Sequence, residues 1–289
     1  MAWRNILINQ HCKISYKLNM CIVQTDTDVR QIPVEDIRVL IIGTTRAVIT
    51  AYAVMELLRR QVRVLFTDDK SFPIGEINNY IGNGNRNQNI QKQISWRTER
   101  KHLLWKKIVQ TKITNQAACL KGFQKDDQSL LDLIPEIMDN DSSNREAVAA
   151  RLYFTRLFGK DFVRHDDDQK INFLLNYGYS ILLSTVSREI SANGYLTEIG
   201  IHHDSQENQY NLACDLMEVF RPAIDRAVFQ MKEYELTLEN KITLIEIFDQ
   251  EISYLGQSNT INSAITLFVR KSLNFLSGID DQMEADVEI

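Results

Sequence analysis

Three stretches of the chain hold residue types that can do chemistry. Glu146 sits in Asn144-Arg145-Glu146-Ala147-Val148-Ala149-Ala150-Arg151-Leu152-Tyr153-Phe154. Gly200-Ile201-His202-His203 holds two of the five histidines, and Asp215, Glu218 and Arg221 follow at steps of three. On a helix that spacing puts both acids and the arginine on one face. One imidazole with two or three carboxylates suits a hard or borderline divalent ion, Mg²⁺ or Mn²⁺, better than zinc. Such an ion can neutralise charge on a phosphodiester and activate an attacking oxygen. Each piece also has a plainer reading that stays open. Ser143-x-x-Glu146 spells a capping box at a helix start. Asp215, Glu218 and Arg221 can form a surface ladder worth only about 0.3–0.5 kcal/mol per pair. A His-His pair after glycine can be a polar loop. An iron site from His202, His203 and Glu218 ranks lower, because adjacent histidines tend to point apart.

A fourth stretch is basic. Lys92, Arg97, Arg100, Lys101, Lys106, Lys107 and Lys112 face a single acid, Glu99, with Trp96 and Trp105 interleaved. At helical spacing these cations make a positive face suited to phosphate contacts. The DNA-binding candidates are Arg97, Arg100, Lys101, Lys106 and Lys107. The alternative is a solvated face whose tryptophans are core.

The elements that must position these residues change character along the chain. We read a multidomain α and β protein: a small β-rich, sandwich-like N-terminal domain over 1–80 and a larger all-α C-terminal domain over 81–289. Segments 4–9, 14–17, 20–24, 37–42 and 62–66 are short and rich in Ile and Val, with one helical spacing over 46–60. No glycine-rich phosphate loop follows a strand, which argues against a Rossmann fold. The Asn- and Gly-dense stretch 78–89 is loop chemistry and marks the boundary. Beyond it, helices are expected over 91–120, 129–138, 144–158, 168–193, 209–231, 237–256 and 260–276, then a frayed acidic tail. The formal charge of −5 argues against a uniformly basic coat but not against a local basic face. Four scattered cysteines without a CxxC pair, no secretory leader and no run long enough to span a bilayer fit a cytoplasmic protein.

Four ordered motifs then carry a resemblance. Asn144-Arg145-Glu146-x-x-Ala149-Ala150-Arg151-x-Tyr153-Phe154 with Leu157-Phe158-Gly159 resembles the glutamate helix of the CRISPR-associated integrase that acquires new spacers, CRISPR-associated protein one. Ile171-Asn172 with Leu175-Asn176-Tyr177-Gly178-Tyr179 is similar to its next helix. Gly200-x-x-His203 and Asp215-Leu216-Met217-Glu218-x-Phe220-Arg221-Pro222 are similar to its histidine loop and acidic helix. Trp3-Arg4, Thr67-Asp68-Asp69-Lys70 and Gln93-x-x-Trp96 resemble the type II branch. Ala147-Val148, Phe173-Leu174 and Val219 depart from the family pattern without removing a ligand.

The resemblance implies metal ligands at Glu146, His203 and Glu218, with Asp215, Arg221 and His202 in support. It implies a Mg²⁺- or Mn²⁺-dependent DNA endonuclease and integrase. The 3′-hydroxyl of a double-stranded prespacer would attack a phosphodiester of the CRISPR repeat, with no covalent enzyme intermediate. The implied partners are a second copy in a homodimer built on the β-rich domain and CRISPR-associated protein two in a larger hetero-oligomer. The type II effector nuclease and a ring-shaped accessory protein are implied as well. A non-catalytic DNA-binding scaffold of the acquisition complex is the alternative, and a general metallonuclease that cleaves branched DNA is a second.

Overall fold

The run Ile37–Ile42 is buried at all six positions in the computed structural model, which describes residues 4–68, 73–77, 85–164, 166 and 168–289. Both faces of this strand are covered, and apart from Arg38 its side chains are apolar. It is β5 in the first of two compact units, Met1–Gly82 and Asn83–Ile289. This unit contains β1 (Arg4–Ile8), β2 (Cys12–Lys17), β3 (Met20–Gln24), β4 (Val29–Pro33), β5, β6 (Ala47–Ile49), α1 (Ala51–Arg59), β7 (Arg63–Thr67) and β8 (Pro73–Ile77). One sheet has the order β1-β5-β7-β8, its first three strands parallel and β8 antiparallel. The other runs β4-β3-β2-β6. Ile8, Ile14, Val34, Leu40, Leu57 and Val64 meet in one core.

The expected helix over 46–60 begins later, because Ala47–Ile49 pairs with β2 before Thr50 caps α1 through Ala53 N–H (3.2 Å). The segment β4 escapes an apolar-run reading because it is a mostly exposed edge strand with Arg30 and Gln31 at its centre. Trp3, Asp69, Lys70 and most of the proposed boundary loop lie outside the described residues.

The second unit is helical with a small sheet. Its helices are α2 (Arg86–Ile94), α3 (Thr98–Gly122), α4 (Gln128–Leu131), α5 (Arg145–Phe158), α6 (Lys170–Ala192), α7 (Asn211–Met217), α8 (Arg221–Phe229), α9 (Leu238–Glu246) and α10 (Ile261–Leu276). Strands β9 (Glu251–Tyr254), β10 (Gln257–Thr260) and β11 (Val287–Glu288) pair in the order β10-β9-β11. The all-α expectation is corrected here: the helix expected over 237–256 stops at Glu246, and the acidic tail closes a sheet. Leu255 and Gly256, both at positive φ, turn β9 into β10.

Helix α3 is the spine. Leu104, Trp105, Ile108, Val109, Ile113, Ala117 and Leu120 form its buried stripe, and α5, α8 and the single-turn helix Glu218–Phe220 pack on it. The helix expected from 91 breaks at Ser95, whose hydroxyl turns back to the Gln91 and Lys92 carbonyls. Helix α6 packs against α7, α8, α9 and α10. A Cβ on Gly178 would meet Ile224 Cγ2 at 2.4 Å, so glycine is what lets α6 and α8 approach.

Candidate metal centre

Glu146 opens α5, yet its carboxylate does not cap that helix. Asp141 does, accepting the Arg145 N–H (2.8 Å) and the Glu146 N–H (2.9 Å). The Ser143 hydroxyl donates instead to the Glu136 carbonyl, so the capping-box reading is replaced by an aspartate cap five residues upstream of Glu146. Asp141→Ala should lower stability by about 0.5–2 kcal/mol, read as a fall in melting temperature.

Freed from capping, the Glu146 side chain meets Lys112 Nζ at 2.6 Å. The same ammonium lies 2.6 Å from Glu218 Oε2. Glu218 begins the single-turn helix between α7 and α8, which Asn115 holds by donating to the Val219 carbonyl at 3.1 Å. Its other oxygen takes Arg221 Nη1 at 3.0 Å. This pair is no surface ladder, since the Glu218 side chain is 3% exposed while Glu146 keeps 26% at the rim. Burial pushes the Glu218 carboxyl up, but Arg221 and Lys112 outweigh it and hold it below the usual carboxylate range. Burial likewise pushes Lys112 down, and Glu218 and Glu146 more than restore it.

Asp215 faces the other way. It is fully buried and gathers the histidine loop, accepting the Ile201 N–H (2.7 Å), the His202 N–H (3.2 Å) and the His203 N–H (3.1 Å). Its Oδ1 also lies 2.6 Å from His203 Nδ1. A neutral imidazole donating from Nδ1 keeps its lone pair on Nε2, the arrangement carboxylates impose on metal-binding histidines. The Asp215 bond raises the His203 pKa despite partial burial, with Glu218 and Glu146 adding to it. The two histidines diverge, their rings perpendicular. His202 stacks on Trp105 at 4.2 Å and reaches Asn140, whereas His203 meets the edge of Trp105.

The loop is held from outside as well. Gln93 donates to the Leu196 and Ile199 carbonyls and accepts the Leu196 N–H. Asn211 bridges the Glu198 and Ser205 carbonyls.

Whether this set fits a divalent ion can be judged from its donors. Two carboxylates converge on one cation, and an imidazole with a fixed tautomer couples electrostatically to both. Glu218 Oε2 is a buried oxygen whose close partner is the Lys112 ammonium at 2.6 Å. A buried carboxylate oxygen that already holds a cation is the donor type a hard divalent ion takes. Among the described residues no three His, Cys, Asp or Glu groups yet stand close enough to share one ion. The cation between the acids is Lys112. The donor chemistry fits a hard divalent ion.

Behind Glu146 lies a cavity of about 400 Å³ lined by Lys112, Gln116, Arg164, Tyr179, Arg221 and Asp225, among others. Asp225, pushed up by burial to about 6, accepts a short hydrogen bond from the Tyr179 hydroxyl. Arg221 and Arg164 both lie over the Tyr179 ring.

The basic stretch divides. Arg97 is exposed, and Lys101, Lys106 and Lys107 are half-exposed, with Lys106 paired to Asp139 at 3.3 Å. Arg100 turns to the Phe275 and Asp280 carbonyls and to Asp281. Trp96 and Trp105 are core. Lys112, read with the basic face, is instead central to the site. Its signal was phase: it stands seven residues after Trp105 and three after Val109, inside the apolar stripe of α3.

Comparison with known proteins places the chain in a family. The model for CRISPR associated protein Cas1 matches residues 6–243. The CRISPR-associated endonuclease Cas1 of Neisseria meningitidis is 33% identical over 289 aligned positions, covering 98% of this chain and 94% of that one. A casposase bound to integration product superposes with a TM-score of 0.79 at 20% identity, covering 97% of this chain and 92% of that one. A chain of a Cas6-RT-Cas1–Cas2 complex superposes with a TM-score of 0.75 at 21% identity, covering 97% of this chain and 35% of that one. A match over most of the chain, and a relative at one-third identity along nearly its whole length, make the chain a member of the Cas1 family of CRISPR-associated endonucleases.

Proposed function

We propose that this chain is a Mg²⁺- or Mn²⁺-dependent DNA integrase of CRISPR adaptation, joining a prespacer 3′-hydroxyl to a repeat phosphodiester and retaining endonuclease activity. The observation that carries the reading is the convergence of Glu146 and Glu218 on one cation, 2.6 Å from each, beside an imidazole held by Asp215. Glu146, His203 and Glu218 would hold the ion, which would supply Lewis-acid neutralisation of charge at the scissile phosphate. Asp215 fixes the His203 tautomer, Arg221 anchors Glu218, and Glu146 at the rim meets the incoming phosphate first. Arg97, Lys101, Lys106 and Lys107 are the accessible cations of the stretch assigned to duplex binding.

Two structural neighbours, a casposase bound to integration product and a chain of a Cas6-RT-Cas1–Cas2 complex, support DNA and CRISPR-associated protein two as partners. A homodimer through the first unit, the type II branch and its effector and accessory proteins are part of the same proposal. Among the described residues no helix is long and apolar enough to cross a membrane.

The test is product analysis with Mn²⁺, a duplex prespacer and a repeat target. Joined strands should form from 3′-hydroxyl ends and not from dideoxy ends. Hydrolysed ends alone would indicate a general nuclease. The ion triad that Lys112 makes with the two acids favours one second reading, a DNA-binding scaffold in which the acids are structural. A scaffold gains no thermal stability from Mn²⁺, whereas a metal site does.

The acid limb of activity follows from His203. Because its pKa is raised above 6.5 by Asp215, the neutral ring that can ligate appears only at higher pH than for a free imidazole. Mn²⁺ affinity and strand joining should therefore climb as pH rises through a value above 6.5. The metal-free fold has the opposite dependence. The His203–Asp215 ion pair contributes fully below 6.5 and is lost as pH rises through the folded value. Calorimetric Mn²⁺ titrations and metal-free melting curves from about pH 5.5 to 8.5 check the two signs; a flat binding response counts against His203 as ligand.

A further inference from the structure

Lys112 is the one group of the site that a metal centre does not call for. It projects from the spine helix into the gap between two acids, its side chain 6% exposed, and touches both at 2.6 Å. The Glu146 contact is a hydrogen bond and the Glu218 contact an equally short ion pair, so one ammonium is divided between two acids. One helical turn further on, Gln116 is 1% exposed and its Oε1 has no donor. Both residues line the 400 Å³ cavity, as does the buried carboxyl of Asp225. A flexible ammonium thus has one seat shared between the acids and a second one, the Gln116 carbonyl oxygen that has no donor, within one turn.

We propose that Lys112 is a displaceable internal counter-ion, seated where the divalent metal will sit between Glu146 and Glu218 and moving toward Gln116 when the metal enters. The proposal rests on the metal-site reading above. Without a cation the buried Glu218 and the neighbouring Glu146 would repel each other and open the site. Lys112 keeps the metal-free site folded, and each metal ion that binds must first displace it. The consequence is a weakened but reversible metal affinity, and a site that holds its shape between loadings.

The experiment is Mn²⁺ calorimetry with thermal melting on the full, chelator-stripped chain. Lys112→Met should bind Mn²⁺ about tenfold or more tightly, melt lower without metal and gain more on Mn²⁺ addition than the parent. Gln116→Leu, which removes the second seat, should weaken Mn²⁺ binding several-fold. If the parent binds Mn²⁺, Glu218→Gln loses it, and Lys112→Met binds no tighter than the parent, the counter-ion proposal is overturned while the metal reading stands. If neither parent nor Lys112→Met binds Mn²⁺, the metal reading falls and the proposal with it. Should Lys112→Met not fold, Mn²⁺-soaked crystals of the parent decide. Manganese between the acids with Nζ moved to Gln116 supports displacement, and Nζ still touching both acids refutes it.

Discussion

Glu218→Ala will bind duplex DNA nearly as the parent does and will join no strands. The substitution takes away the deepest carboxylate of the proposed ligand set, the one through which Lys112 and Arg221 are both neutralised. Two effects separate cleanly. Loss of the metal ligand should reduce strand joining by about three orders of magnitude, comparable to removing a preorganised charge-stabilising group. Loss of a buried anion leaves Arg221 without its partner and Lys112 with Glu146 alone, costing about 3–5 kcal/mol. That cost corresponds to a melting temperature lower by on the order of 10 °C in a unit of this size. Glu218→Gln retains volume and a hydrogen-bond acceptor, so it should recover part of the stability and none of the activity. Strand joining by either variant at parental rates would remove Glu218 from the chemistry.

Gly200→Ala should have the second-largest effect, although residue 200 touches no substrate. A Cβ built there would sit 2.2 Å from the His203 carbonyl oxygen and 2.8 Å from Asp215 Oδ2. Neither neighbour can give way, one being backbone and the other a carboxylate already committed to three N–H groups and an imidazole. The alanine must therefore push the loop off Asp215, releasing the tautomer and position of His203. Overpacking of this kind costs about 1–3 kcal/mol, and a displacement of about 1 Å at a reacting centre lowers rates by about 100-fold. Gly122→Ala is the control: nothing lies within 4 Å of its added Cβ and it ends α3, so it should be neutral or stabilising. Equal activity in both variants would mean that the loop tolerates a wider turn than the geometry allows.

The spacing Gly-x-x-His was thus legible as a motif, and its cause is contact: glycine is required for close approach to Asp215. Glu146, His203 and Glu218 were legible as residue types that can share an ion. The order of a β-rich region before a helical one was legible from the change in periodicity. Lys112 was hidden because a lysine among lysines reads as surface, and only its phase against Trp105 and Val109 marks it as buried. Asp141 was hidden because the cap sits beyond an αL residue, Asn144, which breaks the usual spacing from cap to helix. The missed sheet carried its own signal. In β9, Ile252 and Tyr254 are buried, and in the tail Met283, Ala285 and Val287 are buried between Glu284, Asp286 and Glu288. The acids interleaved with those apolar residues mask that two-residue alternation.

That tail is more than an edge strand. The Thr111 hydroxyl donates to the Ala285 carbonyl at 2.9 Å, and β11 packs against α3, so the last stretch of chain braces the helix next to Lys112. For protein engineering, this makes residues 283–289 a poor place to trim an acidic end for crystallisation or to splice a cleavable purification handle. Shortening there would loosen the spine beside the candidate metal centre.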